Sequence, residues 1–433
     1  MDTSSGFHYL DGHLHSDGHA TGDIAADYGT PCYIYSGELL RKRFTRIRDA
    51  FGQWSPLVCF SVKCLANLSV LRLLADSGCG FDVVSGGEIY RVVRAGGDPS
   101  KIVFAGVGKT RAEISYALRQ GVHMFNVESK AEMHAINEVA VDQGAVARVA
   151  IRVNPDIDAR THEKTTTGKE ENKFGVSASE TVMFAEQVKQ MDGVELCGLH
   201  VHLGSPIYSV DPYVRALEKI LSLRDELISS GIDIETINLG GGYCMSYTGE
   251  EVIGPADYAE SVRPFLAKLN CDLIIEPGRH IAAPSGVLLV KVIYRKERPG
   301  GKTFLICDGG MNVMMRPTLY GAFHRIWPIR SPGGMPDVMS PEDDGYAGFE
   351  TERVDVVGPI CESGDYLAES RQIPSVPEGS ILAVFDAGAY GFTMSNQYNA
   401  QCRPPEILTE DTSVELIRER ESYEDLVEYE VDE

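Results

Sequence analysis

From residue 37 to residue 283 the chain alternates between two kinds of segment. Short runs of apolar and β-branched residues occur at 57–62, 80–84, 102–105, 123–127, 147–153, 196–202, 235–239 and 272–275. Between them lie amphipathic stretches of helical length, among them 110–120, 129–143 and 211–230. Strands separated by helices, with no run of antiparallel hairpins, are the signature of a closed (β/α)8 barrel. An open doubly wound sheet usually stops short of eight strands, so the count favours the barrel.

After residue 284 the texture changes. Valine-rich alternating segments at 287–294, 303–308, 353–357 and 380–386 are separated by Gly and Pro, and helical patterns become rare. This predicts a C-terminal β domain over 284–409. The opening stretch also contains strand-like runs, Phe7–Leu14 and Thr30–Ser36, so residues 1–36 are expected to join that β domain around the barrel. Residues 331–349 are rich in Pro, Gly and Asp and are expected to form a surface loop.

Composition narrows the function classes. The chain has 433 residues, 43% apolar and 24% charged, enough for two or three domains with sizeable cores. No apolar run reaches the ~18 residues of a membrane-spanning helix. No Lys or Arg precedes Arg41 and no apolar run follows the start, so no secretory signal is expected. Ten scattered cysteines without a C-x-x-C pair suggest a reducing, cytoplasmic setting. The net charge of −23 argues against a nucleic-acid partner. Residues 410–433 carry eleven acidic side chains against two arginines and are expected to form a solvated acidic tail.

Polar residues concentrate where barrel strands end, which is where barrel enzymes place their chemistry. Lys63 follows LVCFSV directly: it is either a snorkelling surface residue or a desolvated amine able to attack a carbonyl. Asn238-Leu-Gly-Gly-Gly242 offers backbone N–H groups for a phosphate, or simply a tight turn. His200 and His202 could ligate a metal, lie against an aromatic cofactor, or be hydrogen-bonded core histidines. Glu276-Pro-Gly-Arg279 supplies a buried carboxylate in need of a cationic partner and a guanidinium fork for an anion. The β domain adds Cys361, an inert thiol or a general acid, with Arg316, Tyr320 and Tyr390. Two motifs fail. Gly108-Lys-Thr110 lacks the leading glycine of a P-loop, and His8, His13, His15 and His19 lack the partners of a metal site.

Taken in order, Phe60-Ser-Val-Lys63, His200-Val-His-Leu-Gly-Ser205, the triple glycine, Glu276-Pro-Gly-Arg279, Met315-Arg-Pro-Thr-Leu-Tyr320, Cys361-Glu-Ser-Gly-Asp365 and Asp386-Ala-Gly-Ala-Tyr390 resemble the motifs of the fold-type III pyridoxal-phosphate decarboxylases. The likeness runs from Phe7 to about Leu408 and is strongest to the branch that acts on diaminopimelate. It implies a barrel that binds pyridoxal 5'-phosphate, with Lys63 joined to the cofactor, Asp82 near its face, His202 stacked on its ring and Glu276 paired with the ring nitrogen. Ser205, Gly241, Gly242, the backbone near Gly278, Arg279 and Tyr390 would hold the phosphate. Cys361 would supply a proton from the neighbouring subunit, which implies a homodimer with shared sites. Glu362 would meet the distal ammonium of the substrate, and Arg279, Arg316 and Tyr320 its distal carboxylate, with release of lysine. An ornithine- or lysine-type decarboxylase, a dead decarboxylase relative acting as a binding protein, and a metal-dependent amidohydrolase barrel are the competing readings.

Overall fold

The computed structural model describes residues 6–159, 167–168, 172–268, 270–340, 346 and 348–431. The chain divides into two compact units, one of Arg43–Met245 with Val252–His280, the other of Met1–Lys42, Ser246–Glu251 and Ile281–Glu433.

The first unit is a closed parallel barrel. Its strands are Leu57–Ser61, Gly80–Val83, Ile102–Phe104, Met124–Val127, Ala147–Asn154, Val194–His200, Thr236–Asn238 and Asp272–Ile275. Each pairs in parallel with the next, and the eighth returns to the first through Ile274 opposite Leu57 and Ile275 opposite Val58. The apolar runs become strands because both faces are covered: Gly80–Val83 and Met124–Val127 are buried at every position. Inside, Cys59, Val103, Met124, Ala150, Cys197 and Ile274 form a dry cluster drawn from six strands. Burying one such side chain is worth about 1.5–3 kcal/mol.

Three helices after successive strands start alike, with a hydroxyl cap and a glutamate three residues on. Ser85 accepts the N–H of Glu88, Thr110 forms a capping box with Glu113, and Ser129 accepts the N–H of Glu132. Glu88 and Glu132 also reach back to the N–H of Val84 and Glu128, at 2.8 Å each. These bonds fix the loops at the carboxyl end of the barrel.

The second unit is β-rich. Its main sheet runs in the order Tyr366–Ile373, Glu352–Val357, Thr303–Cys307, Gly286–Glu297, Cys32–Ser36, Glu406–Glu410, Ser413–Arg418, and Ile326–Pro328 joins it through Ile381–Val384. Cys32–Ser36 is buried at every position, antiparallel to one neighbour and parallel to the other. The rest of the opening stretch builds a separate three-stranded sheet, Phe7–Leu10, His13–Ser16 and His19–Ala20, and a helix, Thr21–Tyr28.

Two expectations change. The acidic end is not simply a solvated extension, because Ser413–Arg418 pairs with Glu406–Glu410. Glu421 accepts bonds from the Arg403 guanidinium and backbone N–H at 2.5 and 2.9 Å, and Gln397 adds a third at 3.0 Å. Residues 331–340 have no regular structure, as expected of a loop, yet Met339 is fully buried, and Trp327 packs edge-on against Tyr346 and Phe349. Residues 341–345 and 347 of that loop lie outside the described residues.

Candidate active site

Lys63 sits on a single turn, Val62–Cys64, immediately after the first strand. Val62 and Cys64 are fully buried on either side, so the lysine is directed to the barrel mouth. Its side chain is 35% exposed, more open than a desolvated amine, and its ammonium lies 2.7 Å from Asp82 Oδ2. Asp82 is fully buried, and the Ser61 hydroxyl donates to the same oxygen at 2.8 Å. Burial pushes the Asp82 carboxyl above the usual range, although Lys63 pulls it down.

Glu276 ends the eighth strand, 3% exposed. Asn126 Nδ2 and Asn238 Nδ2 both donate to its Oε1, at 3.1 and 2.7 Å, and His200 Nε2 lies 3.4 Å from its Oε2. Burial favours the neutral acid, but His200 and Lys63 outweigh it and hold the group well below the usual carboxylate range. Hydrogen bonds to a charged group contribute about 1.5–3 kcal/mol each, so the two amides offset much of the several-kcal/mol cost of burying this charge.

The two histidines, expected side by side in one strand, part company. His200 closes the sixth strand, whereas His202 lies beyond it and accepts the N–H of Gly241 at Nδ1, 3.0 Å away. Burial, with Arg152 and Lys63 nearby, lowers the His202 pKa far below its ordinary value, so the ring is neutral and carries its proton on Nε2. Arg152 is itself paired with Glu128 at 2.6 Å and covers the Phe174 ring.

The glycine turn is tightly enclosed. A Cβ on Gly241 would fall 2.3 Å from the Glu276 carbonyl, and one on Gly242 (φ +104°) 2.6 Å from that of Gly204. Two of its N–H groups are already engaged: Gly240 donates to Asn238 Oδ1 at 2.9 Å and Gly241 to His202. Gly241, expected near a phosphate, donates its N–H to the His202 imidazole in this structure. Ser205 Oγ accepts from Arg279 Nε at 3.1 Å, which joins the ends of the sixth and eighth strands. Gly278 lies over Ser61, where an added Cβ would be 2.9 Å from that of Ser61.

Cys361, Glu362, Arg316, Tyr320 and Tyr390 belong to the β unit. Asp365 builds the loop that carries Cys361 and Glu362, its two oxygens accepting the N–H groups of Met311 and Ile360 at 2.6 Å each. Cys361 and Glu362 are exposed at its tip. Arg316 is buried, with Nε 3.2 Å from His324 Nε2 and its guanidinium over the Tyr247 ring, and it opens the short helix that Tyr320 closes. Tyr390 is half-buried at a positive φ of 59°, in a segment anchored by Arg325 on Asp386 at 3.0 Å.

Sequence reasoning missed Asn126, Asn238 and Ser61 as site residues. Each had a signal: an uncharged polar side chain inside or at the end of a run otherwise buried, as in Met124-Phe-Asn-Val127. Among the described residues no cluster of three or more His, Cys, Asp or Glu could hold a metal ion. The donor set fits a phosphorylated aromatic aldehyde. It offers an amine for the aldehyde carbon, an ionised carboxylate for a protonated ring nitrogen, and Ser205, Arg279 and a turn without side chains for an anion.

A family model described as the pyridoxal-binding domain of pyridoxal-dependent decarboxylases matches residues 38–283. The chain is 41% identical to the diaminopimelate decarboxylase of Aquifex aeolicus, over 98% of this chain and 97% of that protein. It is 42% identical to the enzyme of the same name from Pseudomonas aeruginosa, over 98% of each. Among solved structures, diaminopimelate decarboxylase from Helicobacter pylori complexed with L-lysine superposes with a TM-score of 0.88 at 38% identity, over 95% of this chain and 99% of that one. The M. jannaschii enzyme gives 0.90 at 36%, over 99% and 98%. The chain belongs to the diaminopimelate decarboxylases, within the pyridoxal-dependent decarboxylase family.

Proposed function

We propose that this chain removes carbon dioxide from meso-diaminopimelate and releases L-lysine, with pyridoxal 5'-phosphate as cofactor. The observation that carries the reading is Glu276: a buried carboxylate kept ionised by two amide donors and an imidazole at the mouth of a barrel that also presents Lys63. Bound pyridoxal phosphate supplies an electron sink for the pair left on the α-carbon when carbon dioxide departs.

The chain's own groups make that sink effective. Lys63 would be the residue that anchors the cofactor through its aldehyde, its amine lying beside Asp82 at the barrel mouth. Glu276, held ionised, would pair with the ring nitrogen and favour a proton there. The neutral His202 ring offers its face without competing charge. Ser205, Gly241, Gly242, the backbone of Gly278, Arg279 and Tyr390 would bind the phosphate. Cys361, exposed in the single chain, gives its thiol proton to the α-carbon of a substrate in the neighbouring subunit, so the working unit is a homodimer.

Diaminopimelate carries a second amino-acid head where ornithine or lysine has only an ammonium. Burying that head requires a carboxylate for its amine and cations for its carboxylate, the roles we assign to Glu362 and to Arg279, Arg316 and Tyr320. Glu362→Gln and Arg316→Ala are each expected to lower kcat/KM for diaminopimelate at least ~100-fold with the bound-cofactor absorbance intact. Full turnover in both variants would remove the distal-head assignment.

A further inference from the structure

Ser61 closes the first barrel strand with its hydroxyl buried. That hydroxyl has one proton and two acceptors within reach, Asp82 Oδ2 at 2.8 Å and the Glu276 carbonyl at 3.1 Å. The Lys63 ammonium is 2.7 Å from the same Asp82 Oδ2. Asp82 Oδ1 is buried and has no partner among the described residues. Among the described residues, one oxygen therefore takes both side-chain donors that reach this buried carboxylate. Resting on the reading of Lys63 as the cofactor-bearing amine, we propose that Ser61 is a positioning residue: its hydroxyl shares Asp82 Oδ2 with the Lys63 ammonium and keeps a donor on the carboxylate when the lysine leaves it.

The reason is what remains behind. Lys63 must give up a proton and turn away from Asp82 before its nitrogen can bond to an aldehyde. With Ser61 in place, the abandoned carboxylate still accepts one hydrogen bond. Without it, a fully buried acceptor is stripped of every partner, at a cost that makes the lysine harder to release. The other titratable groups facing the pair are Glu276 at the end of the eighth strand, Glu88 on the helix after the second, His202 beyond the sixth, and Cys64 next in the chain. None of them is hydrogen-bonded to Asp82 among the described residues, so none replaces the serine. A close packing over Gly278 and a backbone bond from Ser61 N–H to the Pro277 carbonyl, at 3.2 Å, hold the residue at the seam where the barrel closes.

The test is competitive acetylation of the full-length chain, freed of cofactor, with acetic anhydride over a pH series, Lys63 reactivity being read by peptide mass. Ser61→Ala is expected to raise the midpoint for Lys63 by about one pH unit, the scale of one lost hydrogen bond to a buried charge. Ser61→Thr, which keeps the hydroxyl, is expected to stay at the wild-type midpoint, and Ser61→Ala made in an Asp82→Asn background is expected to add no shift. An unshifted Ser61→Ala, a Ser61→Thr shifted as far as the alanine, or an equal shift in the Asp82→Asn background would each overturn the proposal. The functional reading fails separately: pyridoxal phosphate and borohydride would then tag a side chain other than Lys63 in the wild-type chain, while the acetylation midpoints still decide the role of Ser61.

Discussion

Asn238 faces Glu276 across the seventh and eighth barrel strands, its Nδ2 2.7 Å from Glu276 Oε1, while its own Oδ1 accepts the N–H of Gly240 at 2.9 Å. One amide thus ties the glycine turn to the carboxylate we propose for the ring nitrogen, and the bond to Gly240 fixes which way the amide faces. Asn238→Asp keeps the acceptor for Gly240 but sets an oxygen against Glu276, and two carboxyls so close cannot both ionise. Loss of a charge-assisted bond of about 1.5–3 kcal/mol predicts a kcat reduced roughly 10- to 100-fold. Steady-state turnover together with the cofactor spectrum checks this, and cofactor is expected to remain bound.

Lys109 is a buried cation that serves the fold rather than the reaction. Its ammonium donates to the Gly106 and Asn126 carbonyls at 2.8 and 2.9 Å and to Glu132 Oε1 at 2.5 Å, with no side-chain exposure. Lys109→Met removes the counter-ion of a carboxyl that burial already pushes toward its neutral form, leaving it the Glu128 N–H, and breaking one partner of such a pair costs about 3–5 kcal/mol. Urea unfolding is expected to show a loss of that size, with part of it recovered when Glu132 is also replaced by Gln.

His280 predicts a pH dependence of stability. Its Nδ1 is 2.8 Å from the Cys244 carbonyl, so Nδ1 carries the proton of the neutral ring, and Nε2 is buried without a partner among the described residues. Burial, with Arg43 second, lowers its pKa to about 4 from the usual 6.5. Between those values the unfolded chain binds a proton that the folded chain refuses, so stability falls as pH drops through that window and is complete above it. Urea unfolding at pH 5 is expected to show about 2 kcal/mol less stability from this group than at pH 7.5, and His280→Gln to remove that difference.

The barrel was legible because its strands are predominantly apolar and bounded by helical stretches, a pattern that survives without any tertiary information. Tyr366–Ile373 was not, since its exposed Glu369 and Ser370 break the alternation before the strand ends. Glu406–Glu410 and Ser413–Arg418 were hidden by charge: the acidic run masked Ile407 and Thr409, which are fully buried beside Cys32–Ser36. At the site, Lys63, His202 and Glu276 stood out because a titratable group at the end of a buried strand demands an explanation. Asn126 and Asn238 have no charge to announce them, and their role exists only once eight strands bring them to one carboxylate. The divergence of His200 from His202 likewise depends on where the sixth strand stops.

The most direct test of the account is a substrate panel: the purified chain with pyridoxal phosphate, offered meso-diaminopimelate, ornithine and lysine in parallel, with carbon dioxide and amine products quantified. The account predicts lysine formed from diaminopimelate with kcat/KM at least ~100-fold above that for either other amino acid, as expected when a charged distal head has dedicated partners. Comparable rates on diaminopimelate and ornithine, or carbon dioxide released only from ornithine or lysine, would contradict it.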